Sequence, residues 1–425
     1  MSRVRPEARK VQTVYLVLTL LNTVAASFIW GINTLFLLDA GLTSTAAFAA
    51  NAFYTAGMVL FEVPTGVLAD TRGRRASFLI GGLTLAASTI LYWLAWQVQA
   101  PFWAWAVSSV LIGLGYTFFS GATEAWLVDA LRFTGFTGEL EPVFARAQIV
   151  GGAAMLGGSV AGGLIAQWTN LGVPYLLRAG ALVCAFVVAF VYMRDWGFTP
   201  RPTTHPLQEV RRVLSSSLKH GLGNPPVRWV MLSGLFTGGV GIYAFYAMQP
   251  YLLDLYGDTE AYGVAGLAAA IIAGAQIGGG TVAPHIRRWF RRRTSALLAG
   301  VLVGGGLLAL LGVTQNFWVA VTLLVLWGLV GAVELPIRQA YMNDLIPSAQ
   351  RATVLSFDNL LDSAGGIVTQ PVLGRVADVW SYHTSYLVGA AIQVLAAPFM
   401  VLARREHPTA DLLAGAPQER ARDAV

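Results

Sequence analysis

Two pairs of ionisable residues lie inside long apolar stretches of the sequence, where an unpaired charge is costly. Glu334 and Arg338 are four residues apart and therefore share one face of a helix. This spacing suits an ion pair that only makes both charges tolerable. It also suits a carboxylate that alternates between the arginine and a proton, which is the chemistry of proton coupling. We predict proton-coupling roles for Glu334 and Arg338.

Three further carboxylates also lie inside apolar stretches, where their charge needs an explanation. Asp358 and Asp362 repeat the four-residue spacing, and two carboxylates on one face disfavour joint ionisation, so one of them can hold a proton. Asp362 lies deeper in its apolar stretch and is the candidate for proton coupling, whereas Asp358 is predicted to serve gating. Glu62 precedes Pro64, which frees a backbone carbonyl and bends a helix. Glu62 either binds at this irregular site or handles protons.

The composition places these residues in a membrane. Of the 425 residues, 56% are hydrophobic and only 12% are charged, whereas a soluble domain has about 25% charged residues. The apolar runs are long enough to cross a hydrocarbon core of about 30 Å. The net charge of +6 comes from arginines beside these runs, so it indicates topology and anionic lipid rather than nucleic acid. The single cysteine, Cys184, rules out a disulfide framework.

The apolar runs predict twelve membrane-spanning helices, because a lipid-exposed backbone must satisfy its own hydrogen bonds. One set of alternate loops holds arginines and the opposite set holds no Lys or Arg, so both termini are predicted to be cytoplasmic. The predicted spans are 11–38, 45–69, 76–97, 102–128, 143–168, 175–193, 227–256, 262–284, 294–314, 318–345, 352–379 and 385–403.

The reactive side chains of an intramembrane enzyme are missing from these spans. Both lysines, Lys10 and Lys219, lie outside them, which excludes a Ser/Lys dyad in the membrane. The sequence has no H-E-x-x-H pair and no nucleotide-binding loop of the G-x-x-x-x-G-K-[ST] type. We predict no enzymatic activity, no metal, no cofactor and no ATP-driven pump. All five histidines fall in predicted loops or tails: His205, His220, His285, His383 and His407.

A short basic loop in residues 61–78 carries the most specific motif, G-x-L-A-D-x-x-G-R-R. Gly66 would let two helices approach closely, and Gly73 would permit a tight reversal. The motif resembles the loop between the second and third helices of the major facilitator superfamily of secondary transporters. Residues 120–131 also align with 335–346, which pairs Asp129 with Asp344 and predicts two related halves.

The resemblance implies an all-α membrane protein built from two pseudo-symmetric six-helix bundles. The predicted domains are an N-terminal bundle (1–193), a cytoplasmic linker (194–226), a C-terminal bundle (227–403) and a cytoplasmic tail (404–425). In this family the first, fourth, seventh and tenth spans line a central cavity, which would contain Glu334 and Arg338.

The resemblance also implies roles for other residues. Asp70, Arg74 and Asp129 match a charge cluster that latches the outward-open state of the family. Aromatic and amide side chains in the first and seventh spans are predicted to bind substrate; these are Trp30, Asn33, Tyr243, Tyr246 and Gln249. The residues predicted to serve gating are Gly66, Asp70, Gly73, Arg74, Arg75, Glu124, Asp129 and Asp358.

The predicted function is alternating-access transport, with proton-coupled export of small amphipathic organic compounds or drugs. The stretches FEVPTGVLAD and ATEAWLVDAL resemble a bacterial efflux-type branch. Ser109 stands where drug–proton antiporters often carry an arginine, so proton-coupled or facilitated uptake of a small polar solute remains the alternative, and a non-transporting receptor is a minor one. We predict a monomer in the bacterial plasma membrane, with a small molecule, protons and lipid as partners and no nucleic acid.

Overall fold

The computed structural model describes residues 6–200, 211, 215, 218–347, 351–406 and 409–412. Long α-helices dominate this part of the chain, as the sequence predicts. The helices are α1 (Pro6–Trp30), α2 (Asn33–Asp39), α3 (Ser44–Arg72), α4 (Arg74–Gln97), α5 (Phe102–Thr117), α6 (Ala122–Phe133), α7 (Glu141–Trp168), α8 (Gly172–Tyr192), α9 (Pro225–Tyr256), α10 (Tyr262–Arg287), α11 (Arg293–Val313), α12 (Phe317–Leu345), α13 (Arg351–Val379), α14 (Tyr382–Val394) and α15 (Ala397–Arg405).

Eleven helical stretches among the described residues are long and apolar enough to cross a membrane. They coincide with eleven of the twelve predicted spans, which makes the protein a multi-pass membrane protein. The predicted span 352–379 is also helical, as α13, but it is not one of the eleven. It carries polar residues such as Asp358, Asp362 and Gln370 along its length. The count of twelve spans therefore stays a prediction.

Three of the predicted spans are broken rather than continuous. The first divides between α1 and α2, the fourth between α5 and α6, and the last between α14 and α15. At the second of these breaks Gly121 has φ +65°, a left-handed conformation that side chains with a Cβ rarely adopt. Such breaks expose backbone polar groups, which a membrane tolerates where they are buried in protein or line a cavity.

The helices group into two halves, α1–α8 and α9–α15, which meet mainly along two helix pairs. Helix α3 packs against α13, and α7 packs against α10. We call the end of the bundle where α2 finishes the Asp39 end, and the opposite end the Gly73 end. The predicted domain limits stay a prediction, because most of the linker from 201 to 217 and the tail from 413 to 425 lie outside the described residues.

Two aspartates cap equivalent helices in the two halves. Asp195, which follows α8, accepts a hydrogen bond of 2.8 Å from the backbone N–H of Arg75, the second residue of α4. Asp411, which follows α15, accepts one of 2.8 Å from the N–H of Thr294, the second residue of α11. A carboxylate at a helix N-terminus satisfies a free N–H and interacts favourably with the helix dipole.

The tight reversal predicted at Gly73 is confirmed. Gly73 has φ +104°, and a Cβ at this position would overlap the Asp195 carboxylate. The glycine therefore permits both the backbone conformation and the close approach of the capping residue.

We expect Asp411→Ala to destabilise the C-terminal half by about 1–2 kcal/mol, the usual cost of losing a helix N-cap. The buried Asp411 carboxylate also accepts a hydrogen bond of 2.9 Å from Thr294 Oγ1, which the variant loses as well. Thermal unfolding of the detergent-solubilised protein would measure the change. Glu260→Ala, in an exposed loop, is the control and should leave the unfolding temperature unchanged; equal effects of the two substitutions would contradict the capping role.

Candidate functional site

A cavity of about 240 Å³ lies between the two halves, mainly within the N-terminal half. Helices α1 to α5, α7 and α8 contribute to its wall, and Tyr246 of α9 closes it from the other half. Apolar side chains such as Ile29, Ile112 and Met155 form part of the surface. The cavity is otherwise rich in phenol rings, from Tyr54, Tyr92, Tyr116, Tyr175 and Tyr246.

Three of the five residues predicted to bind substrate line this cavity: Trp30, Asn33 and Tyr246. Asn33 is held in place by neighbours on two helices. It accepts a hydrogen bond of 2.9 Å from Tyr175 Oη and donates one of 3.1 Å to Asn51 Oδ1. The Trp30 ring stacks on Phe245 with 4.3 Å between centroids. These side chains are therefore fixed before a ligand arrives, which lowers the entropic cost of binding.

The other two predicted substrate residues lie away from the cavity wall. Tyr243 is buried in the C-terminal half, where its hydroxyl donates to Ser385 Oγ at 2.6 Å. Gln249 is buried between α2 and α9, where it accepts from the N–H of Thr34 at 2.8 Å and donates to the carbonyl of Trp30 at 2.9 Å. The prediction that they contact substrate is not supported in this conformation, because both are committed to packing and to contacts between helices.

Arg178 lines the cavity and is absent from the residues predicted above. It lies on α8 and is only 2% exposed. Its Nε donates to Thr89 Oγ1 at 3.1 Å, its Nη1 donates to the carbonyl of Ala25 at 3.3 Å, and its guanidinium lies 5.6 Å from the centroid of the Tyr116 ring. A charge at the fourth position of the predicted span 175–193 is the sequence signal that could have identified it.

A charge cluster lies in the C-terminal half between α9, α12 and α13. Arg338 donates two hydrogen bonds to Asp358, from Nη1 at 2.6 Å and from Nη2 at 2.7 Å, in a bidentate ion pair. Asp362 lies one turn further along α13 and fits against α9 where Gly234 and Gly238 lack side chains. A Cβ on Gly234 would lie 2.9 Å from Asp362 Oδ1 and 3.1 Å from Arg338 Nη2, so the two groups are close neighbours.

The prediction of an ion pair between Glu334 and Arg338 is wrong in this conformation. The guanidinium of Arg338 turns towards Asp358 on the neighbouring helix, where both of its terminal nitrogens find acceptors. Glu334 Oε1 is buried without a hydrogen-bond partner among the described residues. Its carboxylate occupies the space left by Gly300 of α11, where a Cβ would overlap it.

The surroundings of Glu334 differ on its two sides. One side faces a largely apolar groove of about 500 Å³ between α10, α11 and α12, with the exposed Trp289 and Val303 on its wall. The other side faces a small cavity of about 140 Å³ that also contacts Thr237, Gln276 and Gln393. Glu334 therefore separates an apolar surface from a polar interior space, outside the cavity of Arg178.

Hydrogen bonds between the halves close the Asp39 end. Asp378 of α13 accepts from the N–H groups of Ser44 and Thr45 at 2.8 and 2.7 Å, and from Thr45 Oγ1 at 2.5 Å. Ser44 Oγ and Tyr382 Oη are 2.9 Å apart. Asp378 thus caps a helix of the opposite half, so the contact exists only while this end is shut.

A close backbone contact supports the same closure. Gly163 of α7 and Gly266 of α10 face each other, so that a Cβ on Gly163 would lie 2.9 Å from the Cα of Gly266. Small residues allow this approach, as they do in packed membrane helices generally.

We expect Asp378→Ala to open the Asp39 end, because it removes three hydrogen bonds to a charged acceptor. In a Cys184→Ser background, a cysteine introduced at Ser109 in the cavity should react about tenfold faster with an impermeant maleimide added from that side, the equivalent of ~1.4 kcal/mol. Asp254→Ala, which changes an exposed carboxylate at the same end, is the control and should leave the rate unchanged. An unchanged rate in Asp378→Ala would contradict the closing role.

At the Gly73 end, the predicted latch is formed in part. Arg74 Nη1 donates to Asp70 Oδ1 at 2.6 Å. The side chain of Asp129 makes no hydrogen bond or ion pair with the described residues, whereas that of its counterpart Asp344 pairs with Arg293 at 2.6 Å. The N-terminal latch is thus incomplete in this conformation, and its role stays a prediction.

The remaining predicted gating and coupling residues are also placed. Arg75 donates from Nη2 to the carbonyl of Phe190 at 2.7 Å, and Glu124 is exposed. Glu62 accepts a hydrogen bond of 2.6 Å from Ser120 Oγ at the break in the fourth span. The expected close helix approach at Gly66 is wrong for this conformation, since a Cβ there would have no neighbour within 4 Å.

A sequence profile decides the family. The Major Facilitator Superfamily profile matches residues 15–332 and 286–422. The chain belongs to the Major Facilitator Superfamily. No curated protein sequence matches the chain. The paired halves, the cavity between them and the basic loop at Gly73 are thus features of a superfamily transporter.

Solved transporter structures share the fold of this superfamily member at low sequence identity. The nucleoside transporter NupG is 12% identical, with a TM-score of 0.75 over 92% of this chain and 98% of its own. A bacterial homologue of the human lysosomal transporter Spinster, inward-facing and unoccupied, is 14% identical, with a TM-score of 0.73 over 96% and 99%. A D-xylose-proton symporter is 16% identical, with a TM-score of 0.65 over 92% and 96%.

Proposed function

We propose that the protein is a proton-coupled secondary transporter that exports small amphipathic organic compounds by alternating access. The observation that carries the proposal is the cavity between the halves, shut at one end by hydrogen bonds that join α3 to α13. Rocking of the halves would break these bonds and expose the same cavity to the other side. The arginine-rich Gly73 end is the cytoplasmic side in this proposal, so the Asp39 end, which is shut here, is the outer side.

Charge balance in the C-terminal half supports proton coupling. Glu334, Asp358 and Asp362 lie near one guanidinium, and the described ion pair of this group is Arg338 with Asp358. Glu334 and Asp362 therefore form no ion pair among the described residues in this conformation, although Asp362 lies near the guanidinium that Asp358 occupies. A buried carboxylate without a partner is costly in its charged form, so proton binding relieves the cost. Loss of the proton would favour an arrangement in which the three carboxylates share Arg338 differently. This would shift the equilibrium between the two conformations of the transport cycle.

The two halves of the protein would then have different roles. The N-terminal half holds the solute among tyrosines, and the C-terminal half holds the titrating carboxylates. Coupling between them requires a differential effect of the proton on the two conformations, not a direct contact between proton and solute. Glu62 remains a further coupling candidate in the N-terminal half, where it binds Ser120.

The cavity bears on the choice of solute and direction. Its volume of about 240 Å³ is below the ~300–1,000 Å³ usual for drug-sized ligands, which favours a small compound over a large drug. Uptake of a polar solute is the second candidate, because Asn33, Ser109 and Arg178 give the wall polar groups. The D-xylose-proton symporter is a proton-coupled relative in fold, and this relationship supports coupling without fixing direction.

Transport in membrane vesicles of known orientation distinguishes export from uptake. Inside-out vesicles with an acidic lumen should accumulate an exported solute, and a protonophore should abolish the accumulation. Right-side-out vesicles placed in acidic buffer should accumulate a solute taken up by symport. A panel of small aromatic acids, amines and neutral amides provides the probes. Binding without accumulation in either orientation, and without equilibration of the solute down its own gradient, would contradict transport and support the receptor alternative.

A further inference from the structure

We propose that the cavity of Arg178 binds an organic anion, with its carboxylate against the guanidinium and its apolar body among the tyrosines. The inference rests on the proposed function, since it takes this cavity as the substrate site, and it specifies the class of substrate.

Arg178 is buried without a counter-charge among the described residues. The side chain is 2% exposed, and an arginine remains charged in proteins. Its contacts within the described residues are a hydroxyl, a backbone carbonyl and a phenol ring, none of which carries a negative charge. No Asp or Glu of the described chain lines the cavity. A buried charge without an opposite charge costs several kcal/mol, which an anionic ligand would offset.

The guanidinium of Arg178 is held in one orientation by two neighbours. Thr89 and Ala25 engage Nε and Nη1, so they fix the plane of the group. Nη2 forms no hydrogen bond to any described residue, and the side chain lines the cavity. A guanidinium that is held at Nε and Nη1, with Nη2 unengaged and its side chain on the cavity wall, can donate a charge-assisted hydrogen bond to a carboxylate in that space.

The rest of the cavity wall is formed largely by apolar and aromatic side chains. Ile29, Ile112 and Met155 provide apolar surface, and phenol rings surround it. Aromatic walls contribute apolar contact area and favour an aromatic or aliphatic body. An inorganic anion would leave this surface unused. The combination of one cation with an apolar wall therefore selects a small organic acid rather than an organic cation.

Equilibrium binding of three matched ligands tests the proposal. The ligands are 3-phenylpropanoate, 3-phenylpropanamide and 3-phenylpropylamine, which share one body and differ in head-group charge. Isothermal titration calorimetry on the purified full chain in detergent should give about 10- to 100-fold tighter binding of the carboxylate than of the amide, the range for a charge-assisted hydrogen bond. The amine should bind weakest. Similar affinities for all three, or no detectable binding of the carboxylate, would overturn the proposal.

Variants locate the effect at Arg178. Arg178→Gln should abolish the preference for the carboxylate, whereas Arg146→Gln, which removes an exposed arginine outside the cavity, should retain it. Arg178→Lys keeps the charge but loses the planar guanidinium that Thr89 and Ala25 hold in place, and it should weaken carboxylate binding about tenfold. If Arg178→Gln does not fold, Arg178→Lys decides, and an affinity equal to that of the wild type would overturn the assignment.

The binding measurement needs no gradient and no turnover. Failure of the anion site therefore appears as lost carboxylate preference. Failure of the proposed transport function would instead appear as intact binding without pH-driven accumulation in vesicles.

Discussion

Replacing Glu334 with Gln should abolish the dependence of transport on a pH gradient while leaving the protein folded and inserted. The Glu334 carboxylate lies against Gly300, between an apolar groove and a polar cavity, and its Oε1 has no hydrogen-bond partner among the described residues. Gln has nearly the same shape but cannot exchange a proton. The surroundings of the carboxylate on neighbouring helices are Thr237, Gln276 and Gln393, with Arg338 one turn away.

The measurement is solute accumulation in vesicles as a function of the imposed pH difference. The wild type should respond to the gradient and Glu334→Gln should not, although passive exchange of solute can persist. Glu141→Gln, an exposed carboxylate at the start of α7, is the control and should behave as the wild type. A gradient response in Glu334→Gln that equals that of the wild type would remove Glu334 from the coupling mechanism.

Removing Arg338 should have the largest effect on stability. Asp358 is only 4% exposed as a side chain and is held by both terminal nitrogens of Arg338. Breaking a buried ion pair by removing one partner typically costs about 3–5 kcal/mol, because the remaining charge is uncompensated. Arg338→Met should therefore lower the free energy of unfolding by about this amount.

The double variant Arg338→Met with Asp358→Leu tests the reason for that loss. Replacing both partners by apolar residues removes the stranded charge, so most of the lost stability should return. Unfolding of both variants in mixed micelles gives the comparison. If the double variant is as unstable as the single one, the loss arises from packing around Arg338 rather than from the ion pair.

Much of the architecture follows from the sequence, because helical spans in a bilayer leave a strong signal in hydrophobic runs and arginine-rich loops. The reversal at Gly73 was predictable for the same kind of local reason. The helical position of Glu334 next to Arg338 was also correct, but the choice of partner was not. Spacing along one helix states which residues can meet, whereas the rotation of α13 towards α12 decides which of them do.

Contacts between distant segments account for what the sequence did not reveal. Asp195 and Asp411 cap helices that begin more than a hundred residues earlier in the chain, and Asp378 caps one that begins 334 residues before it. In the sequence, aspartates in loops and at helix ends look like ordinary solvated residues. Tyr243 and Gln249 likewise look suited to a binding site by residue type. The rotation of α9 within the bundle keeps both out of the cavity, and the sequence does not show that rotation.

The central claim, that protons bias two conformations of the bundle, can be measured without knowing the substrate. Spin labels at Thr169→Cys and Thr259→Cys report the Asp39 end, and labels at Thr137→Cys and Arg291→Cys report the Gly73 end, all on exposed positions in a Cys184→Ser background. Distances from double electron–electron resonance should change in opposite directions at the two ends between acidic and alkaline buffer. The change should vanish when Glu334→Gln and Asp362→Asn are combined. Distances that ignore pH in the parent, or that still respond in the double variant, would contradict the account.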